Sequence, residues 1–454
     1  MPESFDTIVI GGGPGGYVAA IRASQLGQKT AVVESDKPGG RCLNYACIPA
    51  KTILRSAEIY DDVRNGAELG IVGDVSIDWP ALQARRTKVS ESLSGGVKFL
   101  WDKDKVTMID GEGSLTADGN VSVGGEVYEA KAVILATGSV ATPIPGVPFG
   151  GRVVDTWGAW SFTEQPRKIA VVGAGASGSE LASAYARLGT EVILIEMLPQ
   201  ILPAEDKDIA KIVERVFKKQ GIEISTGAPV ENVEVGEGSV KFTYGDKSAE
   251  VDYLCVAGGR GPDTEALNLA AAGVELGERG KIKVDPYGQT TNPKVYAIGD
   301  LVNKKALAHK AEEEGVVAAE RAGGVETEPV NQELLVGATF THPQVASVGL
   351  TEVAAKEAGH EVKIGKQKIS GEGAGTVYDD KDGIVKLVVD AKYGEILGAH
   401  IVGNRACDMI AELVAAMALE GGAQELARIV HPHPTVSEAV LDAARAVDGW
   451  AIHA

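Results

Sequence analysis

Several features are scarce in this chain of 454 residues. Cysteine occurs four times, too rarely for the disulfide framework of a small secreted protein. No apolar run reaches the roughly 18 residues that a membrane-spanning helix requires. Positive charge is outnumbered, because 63 acidic residues against 44 lysines and arginines give a formal net charge of −19. We therefore expect neither nucleic acid nor an anionic membrane as a partner, since both are bound by basic surfaces.

A targeting segment is also missing from the start of the sequence. The first residues, MPESFDTIVIGGG, have no basic region ahead of an apolar core, so they do not have the pattern of a signal peptide. We therefore expect a cytoplasmic protein. The length is enough for two to four domains.

The first recognisable unit is TIVIGGGPGGYVAAIRASQLGQKTAVVES. A β-rich run at 7–10 is followed by a GxGxxG pattern, a helical apolar pattern at 17–26 and a second strand at 30–33. The functional positions are the glycines and the acid that ends the second strand, namely Gly11, Gly13, Gly16 and Glu34. Glycines let a pyrophosphate approach the helix N-terminus, and the acid can accept hydrogen bonds from a ribose. The pattern predicts a dinucleotide site.

The same unit occurs again as KIAVVGAGASGSELASAYARLGTEVILIE. Its functional positions are Gly173, Gly175, Gly178 and Glu196. An acid at the end of the second strand favours a free ribose 2′-hydroxyl, and no arginine follows in the next ten residues to hold a 2′-phosphate. The second ligand is therefore predicted to be NAD rather than NADP.

Other segments complete the predicted α/β organisation. The run AVILATGSVATPIPG indicates a buried strand, a turn and a stiff crossing, and KVYAIGD indicates a strand ending at Asp300 before a helix that opens in LAHKAEEEG. Asp300 is placed either to bind a ligand hydroxyl or to cap that helix. From about Leu334, alternating strands and the helical pattern ACDMIAELVAAMALEGG indicate a separate α/β domain.

Two cysteines stand five residues apart in GGRCLNYACIPAK, at Cys42 and Cys47. Such a pair can be a metal ligand set, a structural disulfide, two packed thiols or a redox couple. Zinc sites usually gather four Cys or His ligands, and no histidine is near Cys42 in sequence. Cys255 and Cys407 lie in apolar runs, which favours packing for both. The sequence therefore predicts no metal site.

With two glycine fingerprints, CLNYACIPAK, YAIGD and HPTVSE in that order, the chain resembles the flavin disulfide reductases from Phe5 to Ala446. The strings GGYVAAIRASQLG, LAHKAEEEG, THPQVASVGLTE and HPHPTVSE resemble those of members that oxidise dihydrolipoamide. The resemblance implies two Rossmann-like dinucleotide-binding domains, for FAD and NAD, and a C-terminal α/β dimerisation domain. The expected boundaries are 1–146 with 266–328 for FAD, 147–265 for NAD, and 329–454 for the interface.

The resemblance also implies roles for individual residues. Cys42 would exchange with dihydrolipoamide, and Cys47 would lie next to the flavin. His433 would be the acid–base residue, supplied by the partner subunit of a homodimer and oriented by Glu438. The remaining residues that the resemblance places at the cofactors, Lys51 and Glu180 beside the flavin ring among them, are Gly40, Arg41, Lys51, Gly113, Thr137, Gly138, Glu180, Gly259, Asp300 and Ala308.

The chemistry of a dithiol substrate agrees with these residue types. Two electrons can enter the protein by thiol–disulfide exchange, and a histidine can remove the thiol proton near neutral pH. Taken alone, the stretch around His433 favours a surface histidine in a proline-rich turn, and Lys51 alone favours a solvated lysine. Arg41 departs from the threonine common in the family, and a cation there would lower the pKa of Cys42 unless it points to solvent.

We therefore expect an FAD-dependent enzyme that oxidises dihydrolipoamide on a lipoyl protein and reduces NAD⁺. The resemblance implies a lipoyl-bearing subunit of a 2-oxo-acid dehydrogenase complex, or the H protein of glycine cleavage, as the partner. The alternative is another NAD(P)H-dependent flavoprotein disulfide reductase that acts on a small-molecule disulfide. A flavin enzyme without dithiol chemistry, or a flavoprotein that only docks a scaffold, fits the cysteine pair and His433 less well.

Overall fold

A computed structural model describes residues 3–302 and 305–453 of the chain. The chain divides into two compact units, each built from separate stretches of sequence. The first unit consists of Met1–Thr52, Ala81–Thr142 and Gly259–Asn331, and the second of Ile53–Pro80, Pro143–Gly258 and Gln332–Ala454. None of the helices in the described ranges is long and apolar enough to cross a membrane.

The strands are short and are numbered in chain order. They are β1 Ser4–Ile10, β2 Thr30–Glu34, β3 Thr107–Asp110, β4 Gly113–Leu115, β5 Val121–Val123, β6 Glu126–Leu135, β7 Ser139–Ala141, β8 Val153–Asp155, β9 Lys168–Val172, β10 Glu191–Glu196, β11 Glu223–Thr226, β12 Val230–Val235, β13 Val240–Tyr244, β14 Lys247–Val251, β15 Tyr253–Val256, β16 Arg260–Pro262, β17 Val295–Ala297, β18 Gly337–Thr339, β19 Gln344–Gly349, β20 Val362–Lys368, β21 Ile384–Asp390 and β22 Ile396–Gly403.

The α-helices are numbered in the same way. They are α1 Pro14–Gln25, α2 Gly40–Asn44, α3 Cys47–Arg64, α4 Trp79–Lys103, α5 Thr156–Trp160, α6 Ala176–Arg187, α7 Lys207–Lys219, α8 Ala308–Ala322, α9 Glu352–Glu357, α10 Gly373–Val377, α11 Ala406–Ala418, α12 Ala423–Leu426 and α13 Glu438–Ala446.

The first unit is built on a seven-stranded sheet with the order β3-β2-β1-β6-β5-β4, in which β17 also pairs with β6. Strands β3, β2, β1, β6 and β17 are parallel, whereas β5 and β4 continue antiparallel. Alternate residues of β1 belong to different cores, with Ile8 and Ile10 in one cluster and Val9 in the other. Both faces of the sheet are therefore buried, which explains why β1 is a nearly continuous apolar run.

The second unit contains three sheets. The parallel sheet β11-β10-β9-β15-β8 repeats the strand–helix–strand order of the first unit, with α6 between β9 and β10. A three-stranded antiparallel sheet, β12-β13-β14, is separate from it. The antiparallel sheet β18-β19-β22-β21-β20 forms a core of its own with α11 and α13. The predicted change of architecture after about Leu334 is confirmed by this last sheet.

Both glycine turns bring a helix unusually close to the strand that precedes it. A Cβ atom on Gly16 would lie 1.8 Å from the carbonyl oxygen of Gly11, and one on Gly178 would lie 1.8 Å from that of Gly173. Gly11 and Gly173 themselves have φ of +102° and +96°, a region that favours glycine. The predicted strand, turn and helix are confirmed at both places.

One alternative left by the sequence is wrong. Asp300 does not cap the helix that follows it, because α8 begins at Ala308 and its N-cap residue is Leu307. Asp300 lies instead in a single 3₁₀ turn, Gly299–Leu301, just after β17.

The close approach in the second glycine turn gives a matched pair of variants. Gly178→Ala places a methyl group against backbone, which cannot rotate away, so we expect a loss of about 3 kcal/mol or more in the free energy of unfolding. Gly175→Ala is the control, because no atom lies within 4 Å of a Cβ there and φ is −69°. Urea denaturation without added NAD measures both variants, and equal losses would contradict the steric explanation.

Candidate active site

The two cysteines flank a break between helices in the first unit. Cys42 lies in the short α2, and Cys47 is the first residue of α3. Both are half-buried thiols, and the Cys42 side chain is hydrogen-bonded to Cys47. The structure therefore brings the pair together as a dithiol, which is the reduced member of the couple expected from the sequence. Cys255 is fully buried in β15, as predicted for a core thiol.

The pKa of Cys42 is raised, whereas a cation at Arg41 acting alone would lower it. The hydrogen bond to Cys47 and burial raise the pKa of Cys42, and the Glu312 carboxylate adds to the increase. The cation that opposes this increase is Lys51, one helical turn after Cys47 on α3. In the dithiol form the pKa of Cys42 therefore lies above its ordinary value, and the lowering expected from Arg41 stays a prediction.

No sequence pattern indicated that Tyr17 and Glu312 interact with Cys42. Tyr17 of α1 donates its hydroxyl proton to Glu312 of α8, at 3.5 Å, although 295 residues separate them. Burial, Glu312 and Cys42 together raise the pKa of Tyr17 to about 12. Burial likewise raises the pKa of Glu312. Ionisation of Tyr17 and of Glu312 is therefore less favourable here than in water.

The first glycine turn has the form of a pyrophosphate cradle. Glu34 accepts hydrogen bonds from the amides of Gly12, at 2.7 Å, and Asp36, at 2.9 Å, so the acid is tied to the turn. A Cβ on Gly13 would meet no atom within 4 Å, whereas one on Gly40 would lie 2.6 Å from the Cα of Gly13. The space where a Cβ atom of Gly13 would lie is therefore empty, whereas Gly40 packs closely against the Cα atom of Gly13.

The second glycine turn repeats this arrangement in the second unit. Glu196 accepts hydrogen bonds from the amides of Ala174, at 2.7 Å, and Leu198, at 2.9 Å. A Cβ on Gly175 would again meet open space. Glu196 therefore has the same place in the second unit as Glu34 in the first, and a carboxylate there favours a ligand that carries a free 2′-hydroxyl.

The helices that follow the two glycine turns have no side-chain cap. Neither α1 at Gly13 nor α6 at Gly175 has a side-chain hydrogen bond at its N-cap, and the same holds for α8 at Leu307. Other described helices also lack such a bond, α2, α10, α11 and α13 among them, whereas α5, α7 and α9 have one. The first amides of α1 and α6 are therefore available to a phosphate oxygen, which can accept hydrogen bonds from them. These residues fit dinucleotide cofactors.

Asp300 belongs to a polar cluster in the first unit. Its carboxylate accepts a hydrogen bond from Ser139 and lies 4.0 Å from Arg260, and its main-chain oxygen accepts from Lys281. The neighbouring Gly299 is fixed by a buried ion pair that the sequence did not reveal. Lys310, which is fully buried, donates to the Gly299 oxygen at 3.0 Å and to Glu314 at 3.0 Å.

The remaining predicted cofactor residues of the first unit lie in different settings. Thr137 donates to the Asp263 carbonyl at 2.6 Å, and Gly138 has φ of +80° in the same turn. Gly259 has φ of +146° just before β16. Gly113 is explained by packing as well, because a Cβ there would lie 3.0 Å from the side chains of Ile10 and Val33.

Glu180 lies in the second unit and is buried within α6. One of its oxygens accepts a hydrogen bond from the Phe340 amide at 2.9 Å. Its contact there is therefore main chain, and the predicted position beside the flavin ring stays a prediction. Lys51 is at the start of α3 in the first unit, where its ammonium acts on Cys42.

His433 and Glu438 form a pair in the second unit. The Nδ1 atom of His433 lies 2.9 Å from Glu438, whose other oxygen accepts from the Thr435 amide at 2.9 Å. Burial raises the pKa of Glu438, but the bonds from Thr435 and His433 outweigh it, so the pKa falls below its usual value. The carboxylate is thus ionised and fixes the imidazole, which is 75 % exposed. The structure favours an oriented histidine over a surface residue without a role.

Comparison with known proteins identifies the class of protein. Residues 5–315 match a family model described as pyridine nucleotide-disulphide oxidoreductase. Residues 336–444 match the dimerisation domain of the same family. The chain therefore belongs to the pyridine nucleotide-disulphide oxidoreductases. It is an oxidoreductase whose cofactors are FAD and NAD(H).

Individual relatives show which members of the family this chain is similar to. The chain is 41 % identical to the dihydrolipoyl dehydrogenase of Rhizobium etli, over 98 % of each chain. It is 42 % identical to that of Cupriavidus necator, over 99 % of each chain. Among solved structures, LpdA of Mycobacterium tuberculosis has a TM-score of 0.89 at 26 % identity, covering 97 % of this chain and 99 % of that one. The HOCl-induced flavoprotein disulfide reductase RclA of Escherichia coli has a TM-score of 0.87 at 25 % identity, with the same coverage.

The effect of Lys51 on the pKa of Cys42 can be tested by alkylation of the dithiol form. Lys51→Met removes the cation that lowers the pKa of Cys42, so we expect alkylation of Cys42 to shift to higher pH. Arg41→Thr is the control and should shift the profile less. Iodoacetamide labelling across a pH series, followed by peptide mass spectrometry, measures both. A larger shift for Arg41→Thr would restore the role first expected of Arg41.

Proposed function

We propose that this enzyme oxidises dihydrolipoamide, carried on a lipoyl protein, and reduces NAD⁺ to NADH. The observation that carries the proposal is the Cys42–Cys47 pair, with Cys42 in α2 and Cys47 at the start of α3, and with the Lys51 ammonium acting on Cys42. Dihydrolipoyl dehydrogenases at 41 % and 42 % identity over nearly the whole chain support the choice of substrate.

The cysteines perform the exchange in this proposal. A substrate thiolate attacks the Cys42 sulfur of the Cys42–Cys47 disulfide and forms a mixed disulfide, while Cys47 leaves as a thiolate. The second substrate thiol then attacks the mixed disulfide, so that lipoamide leaves oxidised and Cys42 is released. Bound FAD would supply two-electron transfer between the Cys42–Cys47 dithiol and NAD⁺.

Proton transfer is assigned to His433. Because the substrate must attack as a thiolate, the reaction needs a base near neutral pH that removes the proton from the substrate thiol. The Glu438 carboxylate fixes Nδ1 of His433, which leaves Nε2 to accept the proton. His433 is 75 % exposed within one chain, so we assign it to the active site of the partner in a homodimer.

The arrangement of the chain follows from this proposal. We assign 1–146 with 266–328 to FAD, 147–265 to NAD and 329–454 to the dimer interface, in agreement with the residues that match the dimerisation model. We place the enzyme in the cytoplasm, serving a 2-oxo-acid dehydrogenase complex or the glycine cleavage system. The cofactor contacts predicted in Sequence analysis belong to the same proposal.

An anaerobic titration tests the substrate. Dihydrolipoamide added to the FAD-loaded enzyme should produce a long-wavelength absorption band at two electrons, and NAD⁺ added next should yield NADH. Cys42→Ser should abolish the response to dihydrolipoamide, because exchange has lost its sulfur, whereas NADH should still reduce the flavin. Cys407→Ser, outside the pair, is the control. If dihydrolipoamide leaves the native spectrum unchanged while NADH reduces the flavin, a reductase of another small disulfide is the better assignment.

The histidine–carboxylate pair gives a separate prediction. Glu438→Gln keeps the size of the side chain but removes the charge that stabilises protonated His433. We expect the rate of reduction by dihydrolipoamide to fall about 10²- to 10⁴-fold. Reduction by NADH should change little, since it does not use this base. Stopped-flow absorbance measures both rates, and a loss of equal size in both would assign Glu438 to folding instead.

A further inference from the structure

Lys386, on β21 of the second unit, is a buried ammonium among carboxylates. Its side chain is 2 % exposed, and its Nζ lies 2.9 and 3.0 Å from the two oxygens of Asp206. The same atom lies 2.9 Å from Asp208 and 2.9 Å from Glu352. Burial lowers the pKa of Lys386, but the bonds to the three carboxylates outweigh it and raise the pKa above the usual value. Lys386 is therefore a permanent cation.

The three carboxylates differ in their access to other cations. Asp208 is also 2.6 Å from Lys366, and Glu352 is also 2.6 Å from Lys356, both of them solvent-accessible lysines. Asp206 is 3 % exposed, and among the described residues its ion pair is with Lys386. Removing Lys386 would leave Asp206 as a buried charge without a counter-ion, which is among the most costly defects in a protein.

Asp206 ends the loop that begins at the second glycine fingerprint. Residues 197–206 connect Glu196 at the end of β10 to α7, and Asp206 caps α7 by accepting from the Asp208 amide at 3.0 Å. In the middle of the loop the Leu202 amide donates to the Ala174 oxygen at 2.7 Å. Ala174 is the residue whose own amide binds Glu196. The loop is thus fixed to the glycine turn at one point and to Lys386 at its far end.

We propose that Lys386 is a positioning residue for the adenosine half of NAD. By neutralising Asp206 it keeps the end of loop 197–206 buried, and so holds the loop against the glycine turn and Glu196. Without Lys386, the Asp206 carboxylate would turn toward water and draw the loop away with it. This inference rests on the proposed assignment of the second fingerprint to NAD.

The test uses ADP-ribose, the half of NAD that this loop would contact and that cannot exchange electrons. Lys386→Met in the FAD-loaded enzyme should weaken ADP-ribose binding about tenfold, by the loss of a pre-organised site. The KM for NAD⁺ should rise in parallel, while the rate of flavin reduction by dihydrolipoamide stays within about twofold, a change too small to indicate coupling. Isothermal titration calorimetry measures the binding. Lys366→Met is the matched control, because it removes a cation from Asp208 but none from Asp206.

A double variant separates positioning from general stability. Asp206→Asn combined with Lys386→Met removes the buried charge and keeps an oxygen to cap α7, so we expect ADP-ribose affinity to return to within about threefold of the native value. If Lys386→Met does not fold, Asp206→Ala releases the same end of the loop without leaving an orphaned carboxylate, and it should weaken ADP-ribose binding instead.

Each outcome has one meaning. Folded Lys386→Met with native affinity for ADP-ribose would overturn the role of Lys386, as would an equal loss in Lys366→Met or a double variant that is not rescued. If Lys386→Met does not fold, native affinity in Asp206→Ala would overturn it too. A native enzyme that does not bind ADP-ribose at all would refute the NAD site itself, and with it the proposed function.

Discussion

The close contact between a helix and the turn before it is the constraint on which both nucleotide units depend. At Gly16 and Gly178 a side chain would overlap the carbonyl oxygen of the first glycine of the turn, at 1.8 Å in each case. The helix can approach the turn this closely only because glycine has no Cβ atom. The close approach sets the direction of the helix relative to its strand, and hence where the helix amides point. The open second glycines, Gly13 and Gly175, then leave room in front of those amides.

The two glycine turns have the same arrangement in the two units. In each, the acid at the end of the second strand accepts a 2.7 Å hydrogen bond from the amide next to the first glycine, from Gly12 to Glu34 and from Ala174 to Glu196. The acid is thus part of the fold before any ribose reaches it. The chain therefore has two equivalent turns, one in each unit, of the form that a dinucleotide requires.

Local patterns made the strands, helices and glycine turns predictable, because apolar periodicity and glycine spacing are determined within a few residues. What could not be predicted depends on residues distant in sequence. Tyr17 meets Glu312 across 295 residues, and Asp206 meets Lys386 across 180. The direction of the pKa shift of Cys42 also depends on burial and on Cys47, neither of which the neighbouring Arg41 indicates.

The dual use of Glu196 has a consequence for redesign of cofactor preference. Accepting a 2′-phosphate would ordinarily begin with replacement of this acid by a neutral or basic residue. Here that replacement would also remove the carboxylate that accepts hydrogen bonds from the amides of Ala174 and Leu198, and would leave those two amides without their acceptor. Cofactor selectivity and the stability of the turn therefore depend on the same side chain. A variant that prefers a 2′-phosphate would need new acceptors for those amides as well as a new partner for the phosphate.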